Sequence, residues 1–407
     1  MKYVVVLGDG MADLPIKKLN GRTPLEVANI ENMDFIASHG KVGLLKTLVE
    51  GMPIGSEVAN LSILGYSPEK YYPGGRGPLE APCMGVKLKD KEIAIRTNFV
   101  NVEQGILKHY SAGEISTDEG KILCEELNRK LGNEEIKFYQ GKEYRGLLVL
   151  KNSQYSEKAK CWPPHEINDK KIEDYLPKAL NKKAEKTTEL LRELTLESEK
   201  ILSQHPINKK RISHGKEPAN MLWFWGIGRY KEMPNFREKF KINGALISAV
   251  TLLKGIGLSI GLSVPEVPGA TANLSTNYEG KVDCALKELK QNDFVYIHVK
   301  APDDLSHNGD FENKIKAIEL IDKRIIGGIL NSLTGENFRI AILPDHTTST
   351  ELRKHTLDPV PFAIYSPEEK SDSVKEYNEK AARQGYYGLQ NGTDFMKILL
   401  KNGNKKH

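Results

Sequence analysis

Three short apolar runs, each followed closely by an acidic side chain, constrain the fold of this chain more than any other feature. The runs are Tyr3 to Leu7, Phe294 to Val299 and Arg339 to Leu343. Continuous apolar runs of this length are typical of buried parallel strands. Asp9, Asp303 and Asp345 follow the three runs in turn. Because ligands bind at the carboxyl edge of an open parallel sheet, we expect these carboxylates to meet there.

Helical patterns lie between the predicted strands. Residues 243–256 and 311–329 carry apolar side chains at the spacing of one helix face. Helices of this kind cover both faces of a parallel sheet. The fold class predicted is therefore α/β, with a three-layer core and a mostly parallel sheet.

The middle of the chain has a different character. Between about Gly75 and Leu180, the strand-like pieces IAIRTNFV and YRGLLVL flank one helical stretch, Thr117 to Leu131. This pattern predicts a smaller α+β domain, residues 76–181, inserted into a main domain formed by residues 1–75 and 182–407. The Lys/Glu-rich segment from Lys182 to Lys200 is interpreted as an amphipathic helix that returns to the main domain.

Charge and apolar patterning exclude several classes of protein. The 407 residues include 59 Lys and Arg against 54 Asp and Glu, a net charge of +5. That excess does not argue for nucleic acid, although it suits a small anionic substrate. The apolar run near the N-terminus is too short for a signal sequence, and no run of 18 apolar residues predicts a membrane span. Four cysteines without a CxxC pair indicate reduced thiols, so a cytoplasmic protein is expected.

Three histidines accompany the late acidic residues. His307 lies four residues after Asp303, which places both on one face if the stretch is helical. His346 directly follows Asp345, and His355 lies in KHTLDPVPF. Carboxylate and imidazole donors suit Zn²⁺ or Mn²⁺ better than Ca²⁺ or Mg²⁺ alone. Together with Asp9, the set predicts a site for two divalent cations.

A serine upstream could supply the reactive group. Ser56 precedes a helix-like stretch from Val58 to Leu64, where a serine is often a plain N-cap. The same place favours a phosphoryl group, because a helix N-terminus offers free N–H groups. A hydroxyl beside two cations can lose its proton near neutral pH. The combination indicates phosphoryl or sulfuryl transfer, and Asn60 could reach the same pocket.

A series of motifs runs in order from residue 1 to about residue 365. They are GDGMAD, GSEVANLSILGY, GGRGPLEA, RTNFVN, PPHEI, WFWGIG, VPGATANLSTNYEGK, PDDLSHNGD, PDHTT and KHTLDPVPF. In these motifs the chain resembles the alkaline phosphatase superfamily, and within it the archaeal-type cofactor-independent phosphoglycerate mutases. The resemblance implies interconversion of 3-phosphoglycerate and 2-phosphoglycerate without 2,3-bisphosphoglycerate. It also implies an alkaline-phosphatase-like core with a substrate-binding cap inserted in it.

The resemblance further implies roles for individual residues. Ser56 matches the serine that is phosphorylated during turnover. Two divalent ions, commonly manganese, magnesium or zinc, are implied. The ligands of one are Asp303, His307 and His355, and those of the other are Asp9, Ser56, Asp345 and His346.

Cationic side chains are needed to hold a carboxylate and a phosphate. The candidates are Arg76, Arg96, Arg145 and Lys254. The chain departs from the family at two places. It has YSAGE at 110–114 where many members carry Arg-Ala-Gly-Arg, and Gly146 where many carry His. Because of these departures, the sequence does not determine which phosphorylated metabolite is the substrate.

Three other functions use the same residues. A transferase moving phosphate from a nucleotide to homoserine would hold the γ-phosphate at the metals, since no Walker-type loop is present. A phosphatase or sulfatase would have the same ligands in a site open to water. A metal-binding scaffold would do no chemistry. The oligomeric state is left open.

Overall fold

Sixteen strands and fifteen α-helices make up the regular structure of residues 1–401, the part of the chain that this computed structural model describes. The strands are β1 (Lys2–Gly8), β2 (Lys41–Lys46), β3 (Ile93–Glu103), β4 (Ile106–His109), β5 (Ile136–Gln140), β6 (Arg145–Leu150), β7 (Ala159–Lys160), β8 (Lys178–Ala179), β9 (Met221–Arg229), β10 (Gly244–Ile247), β11 (Phe294–Val299), β12 (Phe338–Leu343), β13 (Thr347–Ser349), β14 (Lys354–Thr356), β15 (Val360–Tyr365) and β16 (Gly388–Asn391). The helices are α1 (Pro24–Val27), α2 (Glu31–His39), α3 (Ser56–Ile63), α4 (Pro68–Tyr71), α5 (Gly77–Glu80), α6 (Thr117–Leu131), α7 (Glu185–Ser203), α8 (Pro206–Ser213), α9 (Phe236–Phe240), α10 (Thr251–Ser259), α11 (Tyr278–Leu289), α12 (Ala301–Asn308), α13 (Phe311–Leu320), α14 (Gly327–Ser332) and α15 (Phe395–Leu400). None of these helices is both long and apolar enough to span a membrane.

The described chain divides into two compact units. The first unit contains Met1–Tyr72 together with the described residues from Met233 onward, and the second contains Pro73–Glu232. The first unit is therefore built from two separate stretches of the sequence.

A seven-stranded sheet forms the centre of the first unit, in the order β10-β11-β1-β12-β15-β2-β16. The first four of these strands are parallel to one another, and β16 is parallel to β2. Only β15 runs antiparallel to its neighbours in this sheet. The predicted α/β class with a mostly parallel sheet is confirmed.

Strand β1 is buried on both faces. Val4 and Val6 pack into one core cluster, to which α2, α11 and α13 also contribute side chains. Successive side chains of a strand point to opposite faces, so Val5 and Leu7 point the other way, and both are fully buried. Each such side chain contributes roughly 1.5–3 kcal/mol by leaving water. Because both faces are buried, apolar and polar residues do not alternate along this strand. The sheet and the packing on its two faces form three layers.

The structure corrects one predicted helix and confirms another. The stretch 243–256 begins as strand β10, and only its later part enters α10. Gly244 there lies against β11, where a Cβ would come within 2.7 Å of the Phe294 ring. A short apolar run does not by itself distinguish a strand from a helix. The stretch 311–329 is helical as predicted, with a π-helical segment at Ile321–Ile326 between α13 and α14.

The second unit contains an antiparallel sheet. Its strands run in the order β4-β3-β6-β5, and β3 also pairs with β9, the fifth strand of the sheet. Helices α6 and α7 contribute Leu127 and Leu191 to a core that includes Ile95 and Leu148 of the sheet. An antiparallel sheet with packed helices is an α+β arrangement, as the sequence predicts for the inserted segment.

The second boundary of the inserted segment is corrected by the structure, from residue 181 to Glu232. Helix α7 packs its Leu194 and Leu202 side chains into the core of the second unit. Strand β9 then pairs antiparallel with β3. The charge-rich pattern of α7 indicates an amphipathic helix correctly, but it carries no information about which sheet the apolar face covers.

Replacing Ile95 by alanine is expected to destabilise the second unit by about 2–5 kcal/mol, because Ile95 is fully buried and its loss leaves a cavity. The three tryptophans, Trp162, Trp223 and Trp225, all lie in this unit. Urea unfolding followed by tryptophan fluorescence would therefore measure the change directly. Ile122→Ala, at a side chain 49% exposed in α6, is the matched control and should shift the midpoint little. Equal shifts for the two variants would contradict this packing.

Candidate active site

The acidic residues predicted from the sequence meet at one edge of the main sheet. Strand β1 lies between β11 and β12, so the carboxyl ends of the three strands are adjacent. Asp9 directly follows β1, Asp303 lies in the first turn of α12 after β11, and Asp345 follows β12. All three carboxylates are buried. This is the edge at which α/β sheets bind their ligands.

One group of possible metal ligands consists of Asp9, Asp345 and His346. Their ligand atoms lie within 4.8 Å of one another. His346 Nε2 lies 3.6 Å from Asp9 Oδ1 and 3.4 Å from Asp345 Oδ2. Ser56, the first residue of α3, places its Oγ 3.2 Å from the same nitrogen. The serine therefore lies against this group with its hydroxyl at a helix N-terminus.

A second group forms around Asp303. His355 Nε2 lies 3.1 Å from Asp303 Oδ1, and His307 Nε2 lies 3.5 Å from Asp303 Oδ2. The two Nε2 atoms are only 2.9 Å apart. Both rings have their Nδ1 atoms at backbone carbonyls, that of Arg353 for His307 and that of Ile54 for His355. Each Nδ1 therefore carries the proton that it donates, and both Nε2 atoms face the same point.

The donor atoms of both groups fit bound cations. Two neutral imidazoles cannot direct Nε2 lone pairs at each other across 2.9 Å unless a proton or a metal ion lies with them. In the other group, Asp9 Oδ1 is buried and accepts no hydrogen bond from residues 1–401. A buried carboxylate oxygen without a donor is costly, and a cation would satisfy it. Metal-bound histidines commonly donate their other N–H to a backbone carbonyl, as His307 and His355 do here.

Gly10 keeps the space between the two groups clear of side-chain carbon. Its φ is +61°, and a Cβ would lie 2.5 Å from Thr348 Oγ1 and 2.7 Å from Asp303 Oδ1. Its N–H donates to Asp345 Oδ1 at 3.1 Å. The second glycine of the Gly-Asp-Gly motif is therefore required by both conformation and space.

The protonation states of these groups follow from burial and from neighbouring charge. Burial lowers the pKa of His346 to about 4, so the ring is neutral at pH 7. Burial would raise the pKa of Asp303, but the hydrogen bond from His355 and the charge of Lys300 hold that pKa well below its usual range. Burial would lower the pKa of His355, but Asp303 raises it. A metal ion bound here would compete with a proton for the His355 ring.

Two cationic or potentially cationic neighbours of the carboxylates were not predicted from the sequence. Lys300 Nζ lies 3.3 Å from Asp9 Oδ2 and also donates to Asp303 Oδ2. His298 Nε2 lies 3.0 Å from Asp9 Oδ2. The available signals were a histidine inside the apolar strand β11 and a lysine immediately after that strand.

Two further polar residues, Asn60 and Tyr296, support the site through hydrogen bonds. Asn60 Nδ2 donates to Asp345 Oδ2 at 3.0 Å and to the Ser56 carbonyl at 2.9 Å. Tyr296 OH donates to Asn60 Oδ1 at 2.6 Å. The expectation that Asn60 reaches the pocket of Ser56 is confirmed. Because Asn60 lies one turn after Ser56 on α3, it links the position of the serine to that of Asp345.

Three of the four candidate substrate-binding cations lie in the second unit. Arg96 has only 12% of its side chain exposed, pairs with Glu80 at 3.1 Å and lies 3.8 Å over the Trp225 ring. Burial lowers the pKa of Arg96, the charge of Glu80 raises it, and the charges of Arg76 and Arg145 lower it. Glu80 is therefore the anion that already compensates the charge of Arg96.

The remaining candidates have partners of their own. Arg145 pairs with Glu143 at 3.0 Å and lies over the Tyr144 ring. Lys254, on α10 of the first unit, pairs with Glu266 at 2.6 Å. Glu266 is 80% exposed, so this pair is easily exchanged for another anion.

Comparisons with known proteins agree on one family. A family model described as 2,3-bisphosphoglycerate-independent phosphoglycerate mutase matches residues 37–208. A protein of Methanosarcina barkeri with the same description is 48% identical over 404 residues, which cover 98% of this chain and 100% of the relative.

Two solved structures share the fold over nearly the whole chain. A protein from Pyrococcus horikoshii has a TM-score of 0.80 at 31% identity, with 100% of this chain and 99% of that chain covered. The cofactor-independent phosphoglycerate mutase from Thermoplasma acidophilum has a TM-score of 0.66 at 26% identity, with coverage of 98% and 99%.

Replacing Lys300 by methionine is expected to destabilise the chelator-treated protein by on the order of 3 kcal/mol, because Asp9 and Asp303 lose their shared cation. Added Mn²⁺ should recover most of this loss by supplying positive charge. Chemical unfolding with and without Mn²⁺ would measure both effects. Lys397→Met, which removes a 76% exposed lysine paired with Asp394, is the control and should change little. A loss that Mn²⁺ does not reduce would contradict the electrostatic role of Lys300.

Proposed function

The chain belongs to the family of 2,3-bisphosphoglycerate-independent phosphoglycerate mutases, as its motifs predict, and we propose that it interconverts 3-phosphoglycerate and 2-phosphoglycerate through a phosphoserine at Ser56. The observation that carries the choice of residue is the contact of Ser56 Oγ with His346, at a distance of 3.2 Å. That contact places one hydroxyl beside carboxylates and imidazoles at the ligand-binding edge of the sheet.

Two divalent cations, Mn²⁺, Mg²⁺ or Zn²⁺, are part of the proposal. Asp303, His307 and His355 would hold one of them. Asp9, Asp345, His346 and the Ser56 hydroxyl would hold the other. When bound, such cations lower the pKa of a hydroxyl and neutralise the charge of a transferring phosphoryl group. The mixture of carboxylate and imidazole donors favours Mn²⁺ or Zn²⁺ over Mg²⁺.

Ser56 acts as the nucleophile in this proposal. Its Oγ loses its proton and forms a bond to phosphorus as the bond between phosphorus and a glycerate oxygen breaks, and the departing oxygen takes up a proton. In the second half of the reaction the other glycerate hydroxyl loses its proton and attacks the phosphoserine, and the Ser56 oxygen leaves and takes up a proton, so that no proton is gained or lost overall. The N-terminus of α3, where Ser56 is the first residue, would stabilise the negative charge of the phosphoserine, because a helix N-terminus carries a partial positive charge.

The second unit is proposed to be the substrate-binding cap. Its Arg76, Arg96 and Arg145 suit bidentate binding of a carboxylate or phosphate, and Lys254 of the first unit is the fourth proposed contact. A mutase must exclude water while the phosphoserine exists, and closure of a cap is a common means of doing so. The departure at Gly146 has a local reason, since a Cβ there would lie 2.7 Å from Thr97 Oγ1.

Incubation with 3-phosphoglycerate and Mn²⁺ is expected to yield 2-phosphoglycerate without inorganic phosphate, measured by ³¹P NMR. Chelation should stop the reaction, because the carboxylates alone repel a phosphoryl group. Inorganic phosphate as the main product would instead identify a phosphatase. Phosphohomoserine formed from ATP and homoserine would identify a kinase, and no turnover with any substrate would favour a scaffold.

Ser56→Ala is expected to abolish phosphoenzyme formation, because no oxygen remains to accept the phosphoryl group. Metal content should fall little, since Asp9, Asp345 and His346 remain. Acid-quenched labelling with ³²P-phosphoglycerate and elemental analysis would measure the two quantities. Ser62→Ala, at a buried serine six residues later on the same helix, is the matched control. Normal turnover by the Ser56 variant would refute the assignment of the nucleophile.

A further inference from the structure

Thr348, the second threonine of PDHTT, contacts both groups of candidate ligands. It is fully buried in β13. Its Oγ1 lies 2.8 Å from Asp303 Oδ1 and 2.9 Å from His346 Nδ1. Asp303 belongs to one proposed cation site and His346 to the other. One hydroxyl thus connects the two sites directly.

The protons available on these groups determine which atom donates in each of the two hydrogen bonds of Thr348. A carboxylate can only accept hydrogen bonds, so the single hydroxyl proton of Thr348 points to Asp303. The lone pairs of Oγ1 then remain for His346, whose Nδ1 must carry a proton in order to donate to them. The neutral ring therefore has its lone pair on Nε2. That is the nitrogen that faces Ser56, Asp9 and Asp345.

The backbone of Thr348 is anchored by a buried lysine. Lys314 Nζ donates to the carbonyls of Thr348 and Ala12, at 3.0 and 3.2 Å, and pairs with Asp13 at 2.8 Å. The N–H of Thr348 also donates to the Ala12 carbonyl. Both Lys314 and Asp13 have fully buried side chains. The hydroxyl is therefore presented from a rigid support joined to the segment that follows β1.

We propose that Thr348 is a positioning residue that makes the two cation sites bind cooperatively. It holds the Nδ1–H tautomer of His346 and orients the Asp303 carboxylate through one hydrogen-bonded chain. This proposal rests on the two-cation part of the proposed function.

Cooperativity follows from the shared chain of hydrogen bonds. A cation at His346 Nε2 would make Nδ1–H a stronger donor, so that Nδ1–H would hold the Thr348 hydroxyl more firmly. Fixing the ring also fixes the Thr348 hydroxyl, so the second ion meets an Asp303 carboxylate that is already oriented. By linkage, the second ion strengthens binding of the first by the same factor.

The first test is the histidine tautomer in the metal-free wild-type protein. ¹⁵N NMR of histidine-labelled protein, with His346 assigned through the His346→Gln spectrum, should show a protonated Nδ1 and an unprotonated Nε2. Chemical shifts of the opposite tautomer would overturn the proposal. This measurement needs no variant of Thr348 and no bound metal.

The second test compares Thr348→Val with Thr348→Ser by calorimetric titration with Mn²⁺. The valine variant keeps the shape of the side chain but loses both hydrogen bonds, and it should bind Mn²⁺ about 10- to 100-fold more weakly, with no coupling between the sites. The serine variant restores the hydroxyl and should recover both the affinity and the coupling. Thr195→Val removes a buried hydroxyl that bonds the Leu191 carbonyl in α7, and it should leave Mn²⁺ binding unchanged.

The outcomes separate this proposal from the proposed function. Two ions bound by the wild type, with equal affinity and coupling in the valine variant, would overturn the role of Thr348 and leave the mutase intact. A wild type that binds fewer than two Mn²⁺ ions would refute both the two-cation site and cooperativity between ions. If Thr348→Val does not fold, the proposal is tested by the Mn²⁺ affinity and coupling of Thr348→Ser and by the His346 tautomer of the wild type.

Discussion

Burial of several carboxylates at one edge of a sheet is the constraint on which the rest of this structure depends. Asp9, Asp303 and Asp345 come together because β1 lies between β11 and β12 in a parallel arrangement. Buried charges of one sign are unstable unless cations accompany them. Lys300 supplies one positive charge, and the histidines supply lone pairs that can hold others. The same buried negative charge that destabilises the fold therefore favours the binding of cations at this edge of the sheet.

Much of the fold could be predicted from the sequence because a parallel strand leaves a strong pattern. Strands β1, β11 and β12 are continuous apolar runs, since both of their faces are covered. Strand β10 does not follow from the sequence, because an apolar run of four residues has no period that distinguishes a strand from a helix. The second boundary predicted from the sequence is too early, because β9, with two tryptophans and a phenylalanine, pairs with a strand more than a hundred residues before it. Local patterns do not indicate partners at that separation.

The seven proposed ligands can be named from the sequence because the acids follow apolar strands, the histidines lie near those acids, and Ser56 precedes a helix-like stretch. The structure brings donor atoms of these residues close together, whereas most of the residues that support them leave little signal in the sequence. Thr348 does not differ in sequence from an ordinary threonine, and His298 and Lys300 stand out only by their places inside and directly after the apolar strand β11. Their importance comes from contacts across the sheet and between loops, such as the one between Thr348 and Asp303. Geometry of this kind appears only when the chain is folded.

The interrupted sequence of the first unit has a consequence for the order in which the protein forms on the ribosome. Strand β1 is translated before the second unit, yet both of its neighbours, β11 and β12, are translated after the whole second unit. The second unit is a continuous stretch and can fold while the later strands are still being made. Until then the apolar β1 has no partners in its own sheet, and its edges can pair with other chains. Newly made protein therefore passes through a stage in which the edges of β1 are unpaired. Pairing of those edges with another chain at that stage would lead to aggregation instead of folding.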